Sequence, residues 1–177
     1  MKITTDPSYH FADYPLIYTL CFLYRDDKVL MLLRNKSPNA GLWNGVGGHL
    51  ENGESPHSGC LREIQEETGY CLSKVKFCGV LTWHGYEVSA GGLYIFTARA
   101  PKYEPLQTDE GELAWKSRDF VFTSPEVVTN IHHFGPYIFD DHFPCIHHFN
   151  YDSGIIQSYH RYQLPKDIQN NNPTILA

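Results

Sequence analysis

The sequence lacks an apolar run long enough to cross a membrane. Its longest nearly unbroken run covers residues 16–24 and is interrupted by Thr19, whereas a membrane-spanning helix needs about 20 apolar residues. The N-terminal residues also lack the charged-then-apolar layout of a secretory signal. We therefore expect a cytoplasmic protein without a membrane partner.

Positive charge is scarce as well. The chain has 14 Lys and Arg against 20 Asp and Glu, which gives a net charge of −6. Affinity for long DNA or RNA comes from clustered Lys and Arg, so this composition argues against a long nucleic acid as partner and favours a small ligand. The five scattered cysteines predict buried thiols rather than a disulfide framework.

Turn signals and apolar runs predict one domain over residues 16–163. Residues 1–15 are interpreted as an N-terminal arm and residues 164–177 as a flexible tail. The predicted elements are a hairpin of 16–24 and 29–34, strands at 75–83, 93–98 and 113–115 with a turn at 89–92, a helix near 125–133, and a terminal hairpin of 145–151 and 155–162.

The clearest predicted helix covers residues 56–68. Ser55 suits the capping position, Pro56 suits the first turn, and Gly69 suits the position after the last turn. A core-facing stripe follows on one side, made of Cys60, Leu61, Ile64 and Thr68. Before this helix, residues 43–50 contain too many glycines for an ordinary strand, which predicts a close approach of the backbone.

Four charged residues of this helix, Arg62, Glu63, Glu66 and Glu67, lie within an arc of roughly 140° opposite the core stripe. Neighbouring carboxylates repel one another, and a hard divalent cation such as Mg²⁺, which takes oxygen ligands, would remove the conflict. The alternative interpretation is a plain solvated helix face.

The longer spacing decides between these two interpretations. Gly48, five residues, Glu54, seven residues, then the run from Arg62 to Tyr70 reproduces the signature of the Nudix hydrolases, which the chain resembles. The resemblance implies an α/β fold, an α/β/α sandwich with a mixed β-sheet. It also implies hydrolysis of a nucleoside diphosphate linked to a further group. Tyr70 stands where the family usually has an aliphatic residue.

The resemblance also implies roles for individual residues. Mg²⁺ or Mn²⁺ is expected on Glu63, Glu66 and Glu67, together with a backbone carbonyl of Gly47 or Gly48. Arg62 would hold the glutamates in place, and Glu54 would support the loop and helix from behind. Either Glu67 or Glu63 is the candidate general base in a displacement by water at phosphorus.

Within the family, residues 41–48 are similar to a segment of the MutT-type and mammalian oxidised-purine triphosphatases. This likeness implies that Asn44 contacts the base and that Glu110 is a further metal ligand, with Asp109 and Glu112 as close rivals. Asn130 is a candidate for the base pocket. Two departures, His49 for Lys and Pro38 for a base-packing Phe, leave the substrate open.

Two further sets of residues bear on ligand binding. Arg34 and Lys36, at the end of the second strand, could pair with non-reacting phosphates. The histidines and the cysteine of the C-terminal third could suggest zinc, but their spacing fits no common zinc motif and their aromatic neighbours favour packing. The residues in question are His132, His133, His142, Cys145, His147 and His148.

The leading functional hypothesis is a Mg²⁺-dependent pyrophosphohydrolase of nucleoside triphosphates. Its substrates would include oxidised purines such as 8-oxo-dGTP, cut to monophosphate and pyrophosphate. The alternatives are an ADP-ribose or nucleotide-sugar pyrophosphatase and a Nudix module that binds nucleotides without cutting them. The oligomeric state stays open, and an exposed sheet edge would offer a route to a homodimer.

Overall fold

The computed structural model of the chain describes residues 4, 9–86, 90–140, 144–166 and 168. A 3₁₀ turn at Phe11–Asp13 precedes eight strands and three helices. In chain order the elements are β1 (Leu16–Arg25), β2 (Lys28–Arg34), β3 (Trp43–Asn44), α1 (Pro56–Thr68), β4 (Lys76–His84), β5 (Ala90–Arg99), β6 (Gly111–Ser117), α2 (Arg118–Thr123), α3 (Ile131–Phe139), β7 (Cys145–Asp152) and β8 (Ile155–Gln163).

The strands form one mixed sheet in the order β3-β2-β1-β5-β4-β7-β8, with β6 also paired to β2. The pairs β1 with β5 and β4 with β7 are parallel, and the other pairs are antiparallel. Alternate residues of β1 enter two separate cores: Cys21 and Leu23 pack on the α1 side, and Leu20 and Phe22 pack on the side of α2 and α3. The expected α/β/α sandwich with a mixed sheet is confirmed.

Strands β1 and β2 separate from each other next to the candidate site. The β1–β2 hairpin is paired only over three residue pairs next to its turn, and the glycine-rich segment after β3 takes the place of β2 along the rest of β1. There the amides of Thr19 and Cys21 donate to the carbonyls of Gly48 and Val46. A Cβ on Gly47 would lie 2.3 Å from the Thr19 carbonyl oxygen, so only glycine permits this approach. The predicted close approach is therefore present.

Helix α1 has the predicted limits. The Ser55 hydroxyl accepts a hydrogen bond from the Ser58 amide, Pro56 lies in the first turn, and Gly69 has a left-handed conformation with φ of 71°. The two predicted hairpins are also present, and the single predicted strand at 113–115 extends over the whole of β6.

The helix predicted near 125–133 is wrong for residues 125–130 and correct for 131–133, which begin α3. The amide of Trp43 donates to the Glu126 carbonyl and the amide of Val128 donates to the Trp43 carbonyl, so residues 126–128 run beside β3. Helix α3 begins only at Ile131, and the short helix α2, capped by the Ser117 hydroxyl, was not predicted.

The turn predicted at 89–92 is also wrong for its described part, because residues 90–92 begin β5. A Cβ on Gly91 would lie 2.4 Å from the Trp83 ring, so a larger residue there would displace this ring. Ser89 lies outside the described residues. Four cysteines are buried as expected, but Cys71, in the loop after α1, is exposed.

The two ends of the described chain pack against the α1 side of the sheet. The rings of Tyr9 and Tyr162 stack with centroids 4.1 Å apart, and Leu164 is buried. The limits of arm, domain and tail stay a prediction. No described helix is both long and apolar enough to cross a membrane.

We predict that Gly79→Ala destabilises the protein by about 2 to 4 kcal/mol. Gly79 has φ of 136° in β4, and an added Cβ would lie 2.3 Å from the Cys145 carbonyl oxygen of β7. Gly53→Ala is the matched control because Gly53 also has a positive φ, 80°, but a Cβ added there would have no atom within 4 Å. Urea unfolding should show a loss of only about 1 kcal/mol for this control, and equal losses for the two variants would contradict the prediction.

Candidate active site

Arg62 is the centre of the charged cluster on α1. Its guanidinium donates to both carboxylate oxygens of Glu54, at 3.0 and 2.9 Å, and to one oxygen each of Glu63 and Glu66, both at 2.9 Å. A fifth hydrogen bond, 3.0 Å long, reaches the carbonyl of His49. Arg62 thereby ties the loop before α1 to the exposed face of the helix.

Glu54 acts as the loop's own anchor. Its carboxylate accepts the Glu51 amide at 3.0 Å in addition to the two Arg62 bonds. Hydrogen bonding to Arg62 lowers the pKa of Glu54, and the carboxylate partners in turn raise the pKa of Arg62 further above its already high value.

Glu67 differs from the expectation that it faces away from the core. It is only 6% exposed, because seven residues along a helix bring it to within about 20° of Cys60, which faces the core. Its Oε2 accepts the Gly47 amide at 2.6 Å. Burial, together with the charges of Glu63 and Glu110, raises the pKa of Glu67 to about 8, although the Gly47 hydrogen bond and Arg34 oppose this shift.

Glu63 lies directly over the backbone of Gly48. A Cβ on Gly48 would lie 2.6 Å from both carboxylate oxygens of Glu63, so a side chain there would displace this carboxylate. Burial raises the pKa of Glu63 despite its ion pair with Arg62. Glu66 is more exposed than Glu63, with 58% of its side chain accessible.

These groups open onto a cavity of about 970 Å³. The lining residues fall into two groups by their mutual contacts. Glu63, Glu66, Glu67 and Glu110 interact with one another, with the Gly47–Gly48 backbone and with Arg34, and we call this group, together with Asp109, the acidic end. Hydrogen bonds and a ring contact join Asn39, Tyr86, Tyr151 and Asn130, and we call this group, together with the lining residues Asn44 and Trp83, the neutral end.

The residues expected to bind substrate divide between these two ends. Arg34 lines the cavity, and its Nε donates to the Pro38 carbonyl at 2.8 Å. Asn44 and Asn130 lie at the neutral end. Lys36 is not among the lining residues and instead forms an ion pair of 2.9 Å with Glu110.

The three candidate carboxylates in and after the acidic loop before β6 differ in their position relative to the cavity. Asp109 and Glu110 both line the cavity. Glu112 is not among the lining residues, because it lies within the β2–β6 pairing opposite Leu33. Arg62 and Glu54 are not among the lining residues: Arg62 donates to the lining carboxylates of Glu63 and Glu66, and Glu54 accepts from Arg62.

The C-terminal histidines lie in an aromatic cluster. The His147 ring is parallel to that of Tyr159, and its Nδ1 lies 2.8 Å from the Tyr159 hydroxyl. His148 Nδ1 lies 2.9 Å from the Thr82 hydroxyl. Burial lowers the pKa of His147 to about 3, which keeps its ring neutral. His142 lies outside the described residues.

Across the residues that the structure describes, no three His, Cys, Asp or Glu side chains converge as ready-made metal ligands. Among the glutamates of α1, Glu63 and Glu66 accept from Arg62 and Glu67 accepts from the Gly47 amide. The donor set itself consists of carboxylate oxygens, which suits a hard divalent cation rather than zinc. Burial is the main cause of the raised pKa of Glu67, and the negative charges of Glu63 and Glu110 add to it. A bound cation would offset this second contribution.

The model of the NUDIX domain family matches residues 15–141. The chain belongs to the NUDIX domain family. The expected resemblance is thus confirmed, and the matched range ends before β7 and β8.

Known relatives and structures agree with this membership. An uncharacterized Nudix hydrolase of Bacillus subtilis is 34% identical over 102 residues, which cover 55% of this chain and 63% of that protein. The oxidized purine nucleoside triphosphate hydrolase of Mus musculus is 27% identical over 104 residues, 58% of this chain and 67% of that protein. These matches span about two thirds of the length of each relative.

A crystal structure of a mutator MutT protein from Bacillus halodurans superposes with a TM-score of 0.71 and 27% identity. The superposition covers 84% of this chain and 98% of that one.

Sequence reasoning missed most of the neutral end of the cavity in this NUDIX domain. Trp83, Tyr86 and Tyr151 come from the end of β4 and the C-terminal hairpin, for which no motif exists. The one available signal was the alternation of aromatic residues in β7, since Phe149 and Tyr151 share a face.

We predict that Glu67 makes the stability of the metal-free protein depend on pH. Its pKa of about 8 lies above the unfolded value of about 4.3. The stabilisation from holding the proton is therefore complete below about pH 4.3 and is lost as the pH rises through 8. In EDTA, the melting temperature of wild type should fall between pH 5 and pH 8.5 more steeply than that of Glu67→Gln, which mimics the protonated form.

Glu66→Gln is the matched control for this experiment, because Glu66 is exposed and should leave the slope of wild type unchanged. Identical slopes for wild type and Glu67→Gln would show that Glu67 does not hold its proton in the folded protein.

Proposed function

We propose that this chain is a divalent-metal-dependent pyrophosphohydrolase that cuts nucleoside triphosphates to monophosphate and pyrophosphate. The observation that carries the proposal is the layout of the cavity beside α1. Its acidic end is built from the α1 glutamates against the Gly47–Gly48 backbone, and its neutral end offers aromatic rings and amides. Such a layout suits a ligand with a phosphate chain at one end and a planar base at the other.

Glu63, Glu66 and Glu67 would hold Mg²⁺ or Mn²⁺, with Glu110 and a carbonyl of Gly47 or Gly48 as further ligands. Support comes from the all-oxygen donor set and from the negative charges of Glu63 and Glu110 near Glu67, which add to the burial that raises the pKa of Glu67. When bound, the metal supplies neutralisation of phosphate charge and a lower pKa for bound water.

The chain's own groups would then divide the work. Arg62 would keep Glu63 and Glu66 on the cavity side of α1, with Glu54 behind it. Either Glu67 or Glu63 would accept the proton of the attacking water. Arg34, which its bond to Pro38 holds at the cavity wall, would pair with phosphate oxygens that do not react.

Oxidised purines such as 8-oxo-dGTP are the substrates we propose to test first. The likeness of residues 41–48 to the mammalian enzymes and the match to the mouse oxidized purine nucleoside triphosphate hydrolase support this choice. Asn44, at the neutral end, would contact the base.

The second candidate is an ADP-ribose or nucleotide-sugar pyrophosphatase. One observation favours it: the cavity of about 970 Å³ is near the upper end of the usual range for ligand sites, about 300 to 1,000 Å³. A substrate with a second sugar ring would fill more of this volume than a mononucleotide.

The first test is incubation with Mg²⁺ and a panel of canonical and oxidised dNTPs, ADP-ribose and nucleotide sugars, with all products separated by chromatography. Cleavage of triphosphates to monophosphate and pyrophosphate is the expected result. Cleavage only of ADP-ribose or sugar nucleotides would replace the triphosphate proposal with the second candidate. If wild type binds nucleotides and cuts none of them, as Glu67→Gln would, the chain is a binding module.

The proposed metal ligands predict that Mg²⁺ binding releases a proton. At pH 7 Glu67 is mostly protonated because its pKa is about 8, and a ligating carboxylate must lose its proton. Calorimetric titration in two buffers of different ionisation enthalpy should show release of about one proton per bound metal at pH 7.

The variant Glu67→Gln should bind Mg²⁺ more weakly and release no proton, whereas Glu112→Gln, outside the cavity, should behave as wild type. Proton release that persists in Glu67→Gln would assign the titrating group elsewhere.

A further inference from the structure

The C-terminal hairpin of β7 and β8 lies beyond the residues matched by the NUDIX family model, which end at 141. It nevertheless forms part of the cavity. Its lining residues surround the hairpin turn and are Tyr151, Gly154, Ile155 and Ile156. Ile155 is 66% exposed although apolar, and it stands at this wall of the cavity. The hairpin therefore adds more than two strands to the sheet.

A chain of contacts joins the hairpin to the rest of the neutral end. The Tyr86 hydroxyl donates to Asn39 Oδ1 at 2.8 Å, and the rings of Tyr86 and Tyr151 lie 5.0 Å apart. Asn130 Nδ2 in turn donates to the Tyr151 hydroxyl at 3.2 Å. Three separate segments are thus linked across this end: the loop after β2, the end of β4, and the N-terminus of α3.

The pair of Asn130 and Tyr151 has the chemistry to recognise the edge of a base. When the Tyr151 oxygen accepts from Asn130 Nδ2, its own proton remains to be donated and Asn130 Oδ1 remains as an acceptor. Within the described residues, no hydrogen bond is recorded to either of these two atoms. One donor and one acceptor therefore lie side by side in a fixed order.

For a base that enters the cavity in one orientation, this order discriminates between purines. Guanine presents a carbonyl acceptor and then a ring N–H donor, whereas adenine presents an amino donor and then a ring nitrogen acceptor. Burial helps to keep the Tyr151 hydroxyl protonated, because it raises the pKa of this group to about 12. A mismatched base would leave buried polar groups without partners, which costs more than a missing contact in water.

We propose that the C-terminal hairpin is the specificity element of this cleft, and that Tyr151 and Asn130 together read the base of a purine nucleotide. This inference rests on the proposed function for the reaction at the other end of the cavity. It adds that one half of the base-reading pair, the Tyr151 hydroxyl, is supplied from outside the NUDIX domain match, whereas Asn130 lies within it.

The experiment measures dissociation constants for GMP and AMP by calorimetry, which needs no hydrolysis. Wild type should prefer one of the two by about tenfold or more, and Tyr151→Phe should reduce that preference by about five- to tenfold. Tyr159→Phe is the matched control: it removes a hydroxyl from the same hairpin that bonds to His147 and does not line the cavity. It should leave the preference unchanged.

Two further readouts separate base recognition from a merely structural role. The effects of Tyr151→Phe and Asn130→Ala on the preference should be non-additive, because each substitution breaks the same pair. With a triphosphate that wild type cuts, Tyr151→Phe should raise KM about tenfold and leave kcat within about twofold, because the phosphate end is untouched.

The outcomes distinguish this inference from the proposed function. If wild type discriminates between the monophosphates in a manner that depends on Tyr151 but cuts no triphosphate, the proposed reaction fails and the hairpin keeps its role. If wild type binds GMP and AMP equally, or if Tyr151→Phe and Tyr159→Phe behave alike while triphosphates are cut, the inference is overturned and the reaction stands. Melting temperatures of all variants within about 3 °C of wild type would confirm that they remain folded.

Discussion

The candidate site depends on one guanidinium. Arg62 bonds to Glu54 in the loop, to Glu63 and Glu66 on the helix, and to the His49 carbonyl beside the glycine-rich segment. Without this charge, carboxylates that stand close together on one helix face would repel one another and the loop would lose its anchor. The same contacts also hold the oxygens of Glu63 and Glu66 in place before any cation arrives. One positive charge on Arg62 faces three carboxylates, so negative charge remains in excess on this face of α1. A divalent cation would reduce that excess.

A second constraint is the space between α1 and β1. The Gly47 amide reaches Glu67 only because its backbone lies against the Thr19 carbonyl, where no side chain fits. Through this hydrogen bond the sheet sets the position of a buried carboxylate. The protonation of Glu67 is thus governed by the packing of the backbone as much as by neighbouring charges.

The local parts of this architecture were predictable from sequence. Ser55, Pro56 and Gly69 each act within a few residues, so the limits of α1 followed from capping chemistry alone. The glycines of residues 43–50 predicted a close approach but not its partner. Of the helix predicted near 125–133, residues 125–130 were misread because Glu126 and Val128 pair with Trp43, far away in sequence. The burial of Glu67 was missed for a different reason: Glu67 was grouped with the other charged residues of α1, although it lies within about 20° of the core-facing Cys60 on the helical wheel.

The parallel pairing of β4 with β7 joins segments that are far apart in sequence, since β5, β6, α2 and α3 all lie between them. Such pairing pays the entropy of closing a long loop before it gains contacts. The hairpin pairs with the sheet only through β7, because β8 ends the strand order, and the Thr4 amide donates one further hydrogen bond to the Arg161 carbonyl of β8. We therefore expect amide hydrogens of β7 and β8 to exchange with solvent through local openings that leave α1 and β1 folded. A ligand that bridges both ends of the cavity would slow this exchange, and so its base would help to hold the C-terminal strands in the sheet.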